Sequence, residues 1–291
     1  MIPFPDISPE IFTIQIGGLS LSLRWYALAY LAGLILGWQI MARMMQRPVI
    51  WGGAAPTTRD GVGDLLTWVI LGVVLGGRLG FVLFYEPGYY LSNPGQILQV
   101  WQGGMSFHGG FAGVIIATWL WARQNGADVL RLADAMAVVA PIGIFFGRIA
   151  NFINAELWGR PTDLPWGVVF PGYAAQDCPG VIGACARHPS QLYEAGLEGL
   201  ALGLILMLLV RAGGLRRPGL AFGVFLAGYG LARMFVELFR VADAQFITPD
   251  NPLGHVIGGP VIGLTMGQVL SLPMVIVGLA LIWRARSRPA L

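Results

Sequence analysis

Seven long apolar runs, separated by short stretches rich in Arg, Gly and Pro, pattern this chain: roughly 23–42, 64–85, 107–122, 132–153, 192–210, 219–239 and 267–283. About 20 mostly apolar residues cross a bilayer as a helix. The pattern therefore predicts an all-α polytopic membrane protein with about seven transmembrane helices, the third run being short. Stretches such as "LAGLILGW" (31–38) and "LGLILMLLV" (202–210) are apolar on every side, whereas polar residues gather at one end of most runs. The start, "MIPFPDISPEIF", has no basic n-region and is interrupted by Pro3, Pro5 and Pro9. It does not read as a signal peptide, so the first helix is expected to be retained.

Arginine placement supplies the orientation. With the N-terminus outside, the inner loops and tail hold the basic groups around Arg43 and Arg59, Arg123 and Arg131, Arg211 and Arg217, and Arg284 and Arg288. The outer loops hold little beyond Arg160 and Arg187. That asymmetry fits the positive-inside rule, and seven spans then put the C-terminus inside. The whole chain, 1–291, reads as a single membrane domain. Residues 154–190, with "WGRPTDLPWGVVFPG", form a small head inserted between the fourth and fifth helices, and 240–266 form a second outer loop. The only cysteines, Cys178 and Cys185, both fall in the head. On the oxidising side of a bacterial envelope they are either a disulfide closing a short loop or two unpaired thiols.

Composition agrees. The chain is 56% hydrophobic and 11% charged, with mean hydropathy +0.67, against roughly 25% charged residues in a soluble domain. All 18 basic residues are Arg. A coding bias explains the choice of Arg over Lys, but not why arginines sit at membrane depth, where each costs roughly 2.5–3.5 kcal/mol by insertion scales.

With alternating helix directions, the unusual polar residues all fall in the outer leaflet: Arg24, Tyr26, Arg78, His108, Arg148, Asn151, Glu194, Glu198, Tyr229, Arg233 and Glu237. Asp64 and Asp134 are the exceptions, read as caps at helix N-termini. Some arginines pair internally, with Arg233 and Glu237 at i, i+4 spacing and Arg148 within reach of Glu156 if the helix frays. Several converging on one level also suit an anion, and guanidinium groups grip phosphate in bidentate geometry. His108, in "GGMSFHGGFAGV" (103–114), is either a packing residue or a proton acceptor near neutral pH. Ser106 faces elsewhere on a regular helix, and no G-x-S-x-G elbow is present. The chain offers no nucleophile of its own, and its three scattered histidines have no metal-ligand spacing.

The motifs "LGGRLGFVLFY" (75–85), "GGMSFHGG" (103–110), "GRIANFINAELWGRPTDLPWGVVFP" (147–171), "RHPSQLYEA" (187–195) and "GYGLARMFVELFR" (228–240) resemble the bacterial prolipoprotein diacylglyceryl transferase family. The likeness runs from "RWYALAYLAG" (24–33) to "MGQVLSLPM" (266–274). It implies seven helices in the bacterial inner membrane, a periplasmic N-terminus and head, and a cytoplasmic C-terminus. It also implies transfer of the diacylglyceryl group of phosphatidylglycerol to the thiol of a lipobox cysteine in a prolipoprotein signal peptide. A thioether forms and glycerol phosphate leaves. The peptide supplies the missing nucleophile. No cofactor, metal or nucleic-acid partner is expected.

On this resemblance Arg148 and Arg233 hold the phosphate and stabilise charge on the leaving group. Asn151 and Glu156 orient the head group and the arginines, and Glu237 positions Arg233. His108 is the candidate base for the thiol, unless a nearby Arg lowers the thiol pKa and makes a base unnecessary. Tyr26 and Tyr229 either anchor at the interface or bond lipid or peptide, while Arg160, Arg240, His188 and Glu194 support the site. Arg78 pairs with Glu86 or a head-group phosphate outside the site. Two rivals remain: a transporter, which needs polar residues through both leaflets, and a lipid-binding protein without chemistry.

Overall fold

A chain crossing lipid must satisfy its backbone hydrogen bonds internally, which helices do. The computed structural model describes residues 1–178 and 180–290; position 179, in the expected head, and position 291 lie outside the described residues. The fold is mostly helical. Among the described residues, five helices are long and apolar enough to cross a membrane: Trp25–Met45, Arg59–Phe84, Val129–Ile153, Ser190–Arg211 and Met266–Arg286. Phe107–Asn125, 19 residues, and Leu220–Val236, 17 residues, are further helices. Side chains such as Leu204, Ile205 and Leu208 point outward from Ser190–Arg211, a surface suited to lipid rather than water.

The chain divides into two compact units, Met1–Gly37 with Asp134–Leu291, and Trp38–Ala133. In the second, Arg59–Phe84 lies along Phe107–Asn125 with glycine on both sides of the contact. A Cβ on Gly80 would meet the Gly109 Cα at 2.7 Å, so the backbones approach more closely than any other residue pair permits. Arg78 on this helix is buried. Its Nε donates to the Ile97 carbonyl (2.8 Å), Nη2 to Gln96 (2.6 Å) and Nη1 to Gly103 (2.6 Å) and Gly104 (3.1 Å), under the Tyr90 ring. The expected pairing with Glu86 or a phosphate is therefore corrected: Arg78 ties down the loop leading to His108. Arg78→Ala removes a buried guanidinium and its four hydrogen bonds to part-buried carbonyls, each worth about 1 kcal/mol. The expected result is a clear fall in thermal midpoint in detergent, with Arg78→Lys recovering only part of it.

The helical expectation also needs correcting between the helices. Glu10–Ile16 and Leu19–Arg24 form an antiparallel hairpin. Its second strand, "LSLSLR", shows the two-residue alternation of a strand, and Gly17 and Gly18 (φ +55° and +87°) supply the tight turn. Arg24 thus ends a strand and pairs with Glu10 at 3.0 Å, rather than opening the first helix. Short ladders also join Ile2–Pro3 to Val168–Val169 and His255–Gly258 to Gly263–Thr265.

Both acid caps read from sequence are reassigned. Thr58 caps Arg59–Phe84 through Gly61 N–H (3.0 Å), while Asp64 is exposed further along that helix. Asp128 accepts Leu130 N–H and Arg131 N–H at the start of Val129–Ile153. Asp134 reaches instead to another helix, accepting from Gly219 (2.7 Å) and Phe222 (2.8 Å) at the start of Leu220–Val236. Asp134→Ala removes a fully buried cap. It is expected to destabilise by about 2 kcal/mol, read as a lower unfolding temperature at unchanged lipid binding.

Candidate active site

Three helices converge on one buried carboxylate. Glu194, at 0% exposure, lies where Ser190–Arg211 loosens into a π-helical segment, Ala195–Ala201. Its Oε1 meets Arg233 Nη1 at 2.5 Å and Arg240 Nη1 at 2.9 Å, and its Oε2 meets Arg148 Nε at 3.0 Å. Glu237 braces the same arginines, with Oε2 at 2.9 Å from Arg233 Nη2 and 3.6 Å from Arg240 Nε. The Glu237 carboxyl fills the space where a Cβ on Gly267 would stand, at 2.6–2.7 Å, so only glycine leaves room for it there.

Arg148, on Val129–Ile153, has its two terminal nitrogens in loose contacts only among the described residues: Nη1 at 3.5 Å from Asn151 Oδ1 and Nη2 at 4.0 Å from Glu198. A guanidinium has five N–H donors, so its fork remains able to take a phosphate. Asn151 Nδ2 in turn donates to Glu156 Oε1 at 2.7 Å. Glu156 stands in a tight turn between Ala155 (φ +51°) and Leu157 (φ +58°), both in the left-handed region that non-glycine residues rarely adopt. Such strain persists only where surroundings enforce it. Here Gln191 Nε2 donates to the Glu156 carbonyl (2.5 Å) and Ser190 Oγ to that of Leu157 (2.9 Å), both from fully buried side chains.

Around this centre the segment 154–190 is tied down by side chains. Arg160 Nε donates to the Arg240 carbonyl at 2.7 Å, which places Arg240 from behind. His188 is buried, near Tyr193 Oη (Nδ1, 3.1 Å) and against Phe239; burial, and then the Arg160 charge, hold its pKa below the usual histidine value. Arg187 is buried over the Trp158 ring and donates to the carbonyls of Ala175 (2.5 Å) and Asp177 (2.9 Å). Cys178 and Cys185 are joined in a disulfide, and the Gln176 side chain, just before that loop, bridges the Phe170 carbonyl and the Cys185 backbone.

Of the residues singled out in the sequence, Tyr26, Arg148, Asn151, Glu156, Arg160, His188, Glu194, Tyr229, Arg233, Glu237 and Arg240 all lie in the unit Met1–Gly37 with Asp134–Leu291. Tyr229 lies in the field of Glu198, Arg148, Arg233 and Glu194, and Tyr26 Oη is 3.1 Å from Tyr30 Oη. His108 belongs to the other unit. It is exposed in the first turn of Phe107–Asn125, whose N-terminus Ser106 Oγ caps through Gly109 N–H (3.2 Å). The expected Arg148–Glu156 pairing gives way to Arg148–Glu194 and Asn151–Glu156. Ser190, Gln191 and Gly267 were not anticipated. Glu198, noted only for its depth, is part of the cluster, and its spacing of four from Glu194 in an apolar run is the signal that could have found it.

Comparison with known proteins gives this arrangement a context. A family described as prolipoprotein diacylglyceryl transferase matches residues 11–284. A protein of Ruegeria pomeroyi named phosphatidylglycerol--prolipoprotein diacylglyceryl transferase is 59% identical over 100% of this chain and 99% of its own. Proteins with the same name from Roseobacter denitrificans and Nitrobacter winogradskyi are 61% identical over 98% of both chains, and 47% identical over 99% of this chain and 91% of theirs. On a match covering nearly its full length, the chain belongs to the prolipoprotein diacylglyceryl transferase family.

Proposed function

We propose that this protein transfers the diacylglyceryl group of phosphatidylglycerol to the thiol of a lipobox cysteine in a prolipoprotein signal peptide, the first step of bacterial lipoprotein maturation. The observation that carries this reading is the convergence of Arg148, Arg233 and Arg240 on the buried Glu194. A preorganised group of guanidiniums stabilises negative charge as it develops, at no cost of reorganisation during the reaction. The peptide sulfur attacks the glyceryl carbon that bears the phosphate. A C–S bond forms, the C–O bond breaks, and its electron pair stays on the phosphate oxygen of the departing glycerol phosphate. Arg148 and Arg233 hold that phosphate, while Asn151 and Glu156 orient Arg148 and the head group. Tyr26 and Tyr229 border the lipid, and Arg160, Arg240, His188, Glu194 and Glu237 support the arginines.

The thiol proton passes to His108 unless arginine charge makes the thiolate available directly; an unperturbed thiol, with pKa near 8.5, is mostly protonated at neutral pH. Turnover of His108→Gln separates the two: a large loss of kcat with lipid binding kept assigns the proton to His108, and near-wild-type turnover assigns thiol activation to arginine charge. The reading includes seven spans, counting Phe107–Asn125 and Leu220–Val236 with the five longer helices. It also includes a periplasmic N-terminus, a periplasmic head at 154–190, a cytoplasmic C-terminus and residence in the inner membrane. Arginine asymmetry and the Cys178–Cys185 disulfide support this orientation. Labelling of single cysteines placed at Val49 and Ile262 from outside intact spheroplasts tests it: position 262 reacts and position 49 does not.

A further inference from the structure

Glu198 stands apart from the other acids of the cluster. It lies one turn beyond Glu194, in the π-helical segment, and its side chain is 0% exposed. Neither of its carboxyl oxygens has a hydrogen-bond partner among the described residues. The nearest cationic atom is Arg148 Nη2, at 4.0 Å. The other charged or titratable groups that act on it are Glu194, Arg233, Arg240 and the Tyr229 hydroxyl. Glu194 and Glu237 build the cluster by direct contacts to the arginines. Glu198 stands at the edge of the cluster, within 4.0 Å of Arg148, without adding a hydrogen bond to it.

A buried carboxyl with unmet acceptors is costly, so a group that only lowers the local positive potential calls for a function. The charge inventory supplies one. Arg148, Arg233 and Arg240 face Glu194, Glu198 and Glu237; with Glu198 ionised the three charges of each sign balance, and without it the site carries one unbalanced positive charge. Transfer converts a phosphodiester with one negative charge into a phosphomonoester that carries up to two. Arginines strong enough to stabilise the departing phosphate therefore hold the product more tightly than the substrate.

We infer that the arginines hold Glu198 ionised and that it acts as a counter-charge to Arg148, weakening the grip of the cluster on the glycerol phosphate product and so permitting its release. The inference rests on the arginine cluster being the phosphate site. Out of solvent and 4.0 Å from Arg148, Glu198 is a residue that acts through Arg148 rather than on the lipid itself.

The test is the dissociation constant of glycerol phosphate, measured by equilibrium dialysis with the full-length protein in detergent, together with steady-state kinetics on phosphatidylglycerol and a lipobox peptide. Glu198→Gln and Glu198→Met both remove the charge at similar side-chain length, and either one that folds decides the matter. The expected result is about tenfold tighter glycerol phosphate binding, corresponding to about 1.4 kcal/mol. KM for the lipid falls by a smaller factor and kcat falls as release slows. Glu198→Asp, which keeps the charge, should bind the product about as wild type does. A merely structural role would weaken binding or lower the unfolding temperature, and product affinity that is unchanged or weaker in a folded neutral variant overturns the inference. Arg148→Ala separates this from the underlying reading: if glycerol phosphate binds that variant as tightly as wild type, the cluster is not the phosphate site. If Arg148→Ala loses the product while Glu198→Gln leaves its affinity unchanged, only the counter-charge is wrong.

Discussion

Arg148→Ala is expected to lose at least about 100- to 1,000-fold in kcat/KM, the scale on which removal of one charge-stabilising donor acts, while the protein stays folded. The two halves of this expectation have separate causes. Arg148 has one firm contact, Nε to Glu194 at 3.0 Å, and its terminal nitrogens rest at 3.5 Å from Asn151 and 4.0 Å from Glu198. Its removal leaves Glu194 still held by Arg233 and Arg240, so the junction of helices keeps its buried acid paired. What is lost is the fork that the loose contacts leave available. Arg148→Lys keeps one charge but not two parallel donors, and should recover only a small part of the rate. Thermal unfolding beside the transfer assay checks both halves. A stable Arg148→Ala protein with near-normal turnover contradicts the assignment.

Glu194→Ala is the opposite case, in which the fold itself is weakened. Removing this carboxylate leaves Arg148, Arg233 and Arg240 facing one another without the acid that holds them, and all three are largely shielded from solvent. Breaking a buried pair by deleting one partner typically costs about 3–5 kcal/mol, against a total stability of roughly 5–15 kcal/mol for a domain. The expected outcome is a large drop in unfolding temperature, followed through the intrinsic fluorescence of the chain's 10 tryptophans, together with loss of transfer. Glu194→Gln keeps the shape and one acceptor oxygen, so it should lie between wild type and Glu194→Ala in stability but remain inactive. A variant without the carboxylate that melts like wild type would mean that the arginines do not depend on it.

Much of this was legible in the sequence, for identifiable reasons. Long apolar runs mark membrane helices because lipid leaves the backbone no other partner. Arg233 and Glu237 were readable as a pair because i, i+4 residues face each other on any helix, and they meet at 2.9 Å. The contacts that organise the centre were not: Glu194 lies 39 residues from Arg233 and 46 from Arg240, distances over which no local rule selects a partner. Thus Glu194, expected only to support the site, turns out to be its hub. Glu156 instead holds Asn151. Asp134 shows the same limit, because an acid near a helix start has a local explanation even when it caps a helix 85 residues away. Arg78 had two plausible partners in sequence and takes neither, because backbone carbonyls carry no sequence signature. The hairpin at Glu10–Ile16 and Leu19–Arg24 was readable in its alternation and its Gly-Gly turn, but lay in the shadow of the stronger apolar run that follows.

The most direct measurement is mass spectrometry of a lipobox peptide carrying one cysteine, incubated with the purified protein and phosphatidylglycerol. Parallel reactions use Arg148→Ala, Arg233→Ala, a Cys→Ser peptide, and phosphatidylethanolamine. The account predicts a diacylglyceryl thioether with released glycerol phosphate for the wild-type protein alone, and only with phosphatidylglycerol and the cysteine present. Equal product from the arginine variants, or arginine-dependent lipid binding with no product from any protein, would contradict it.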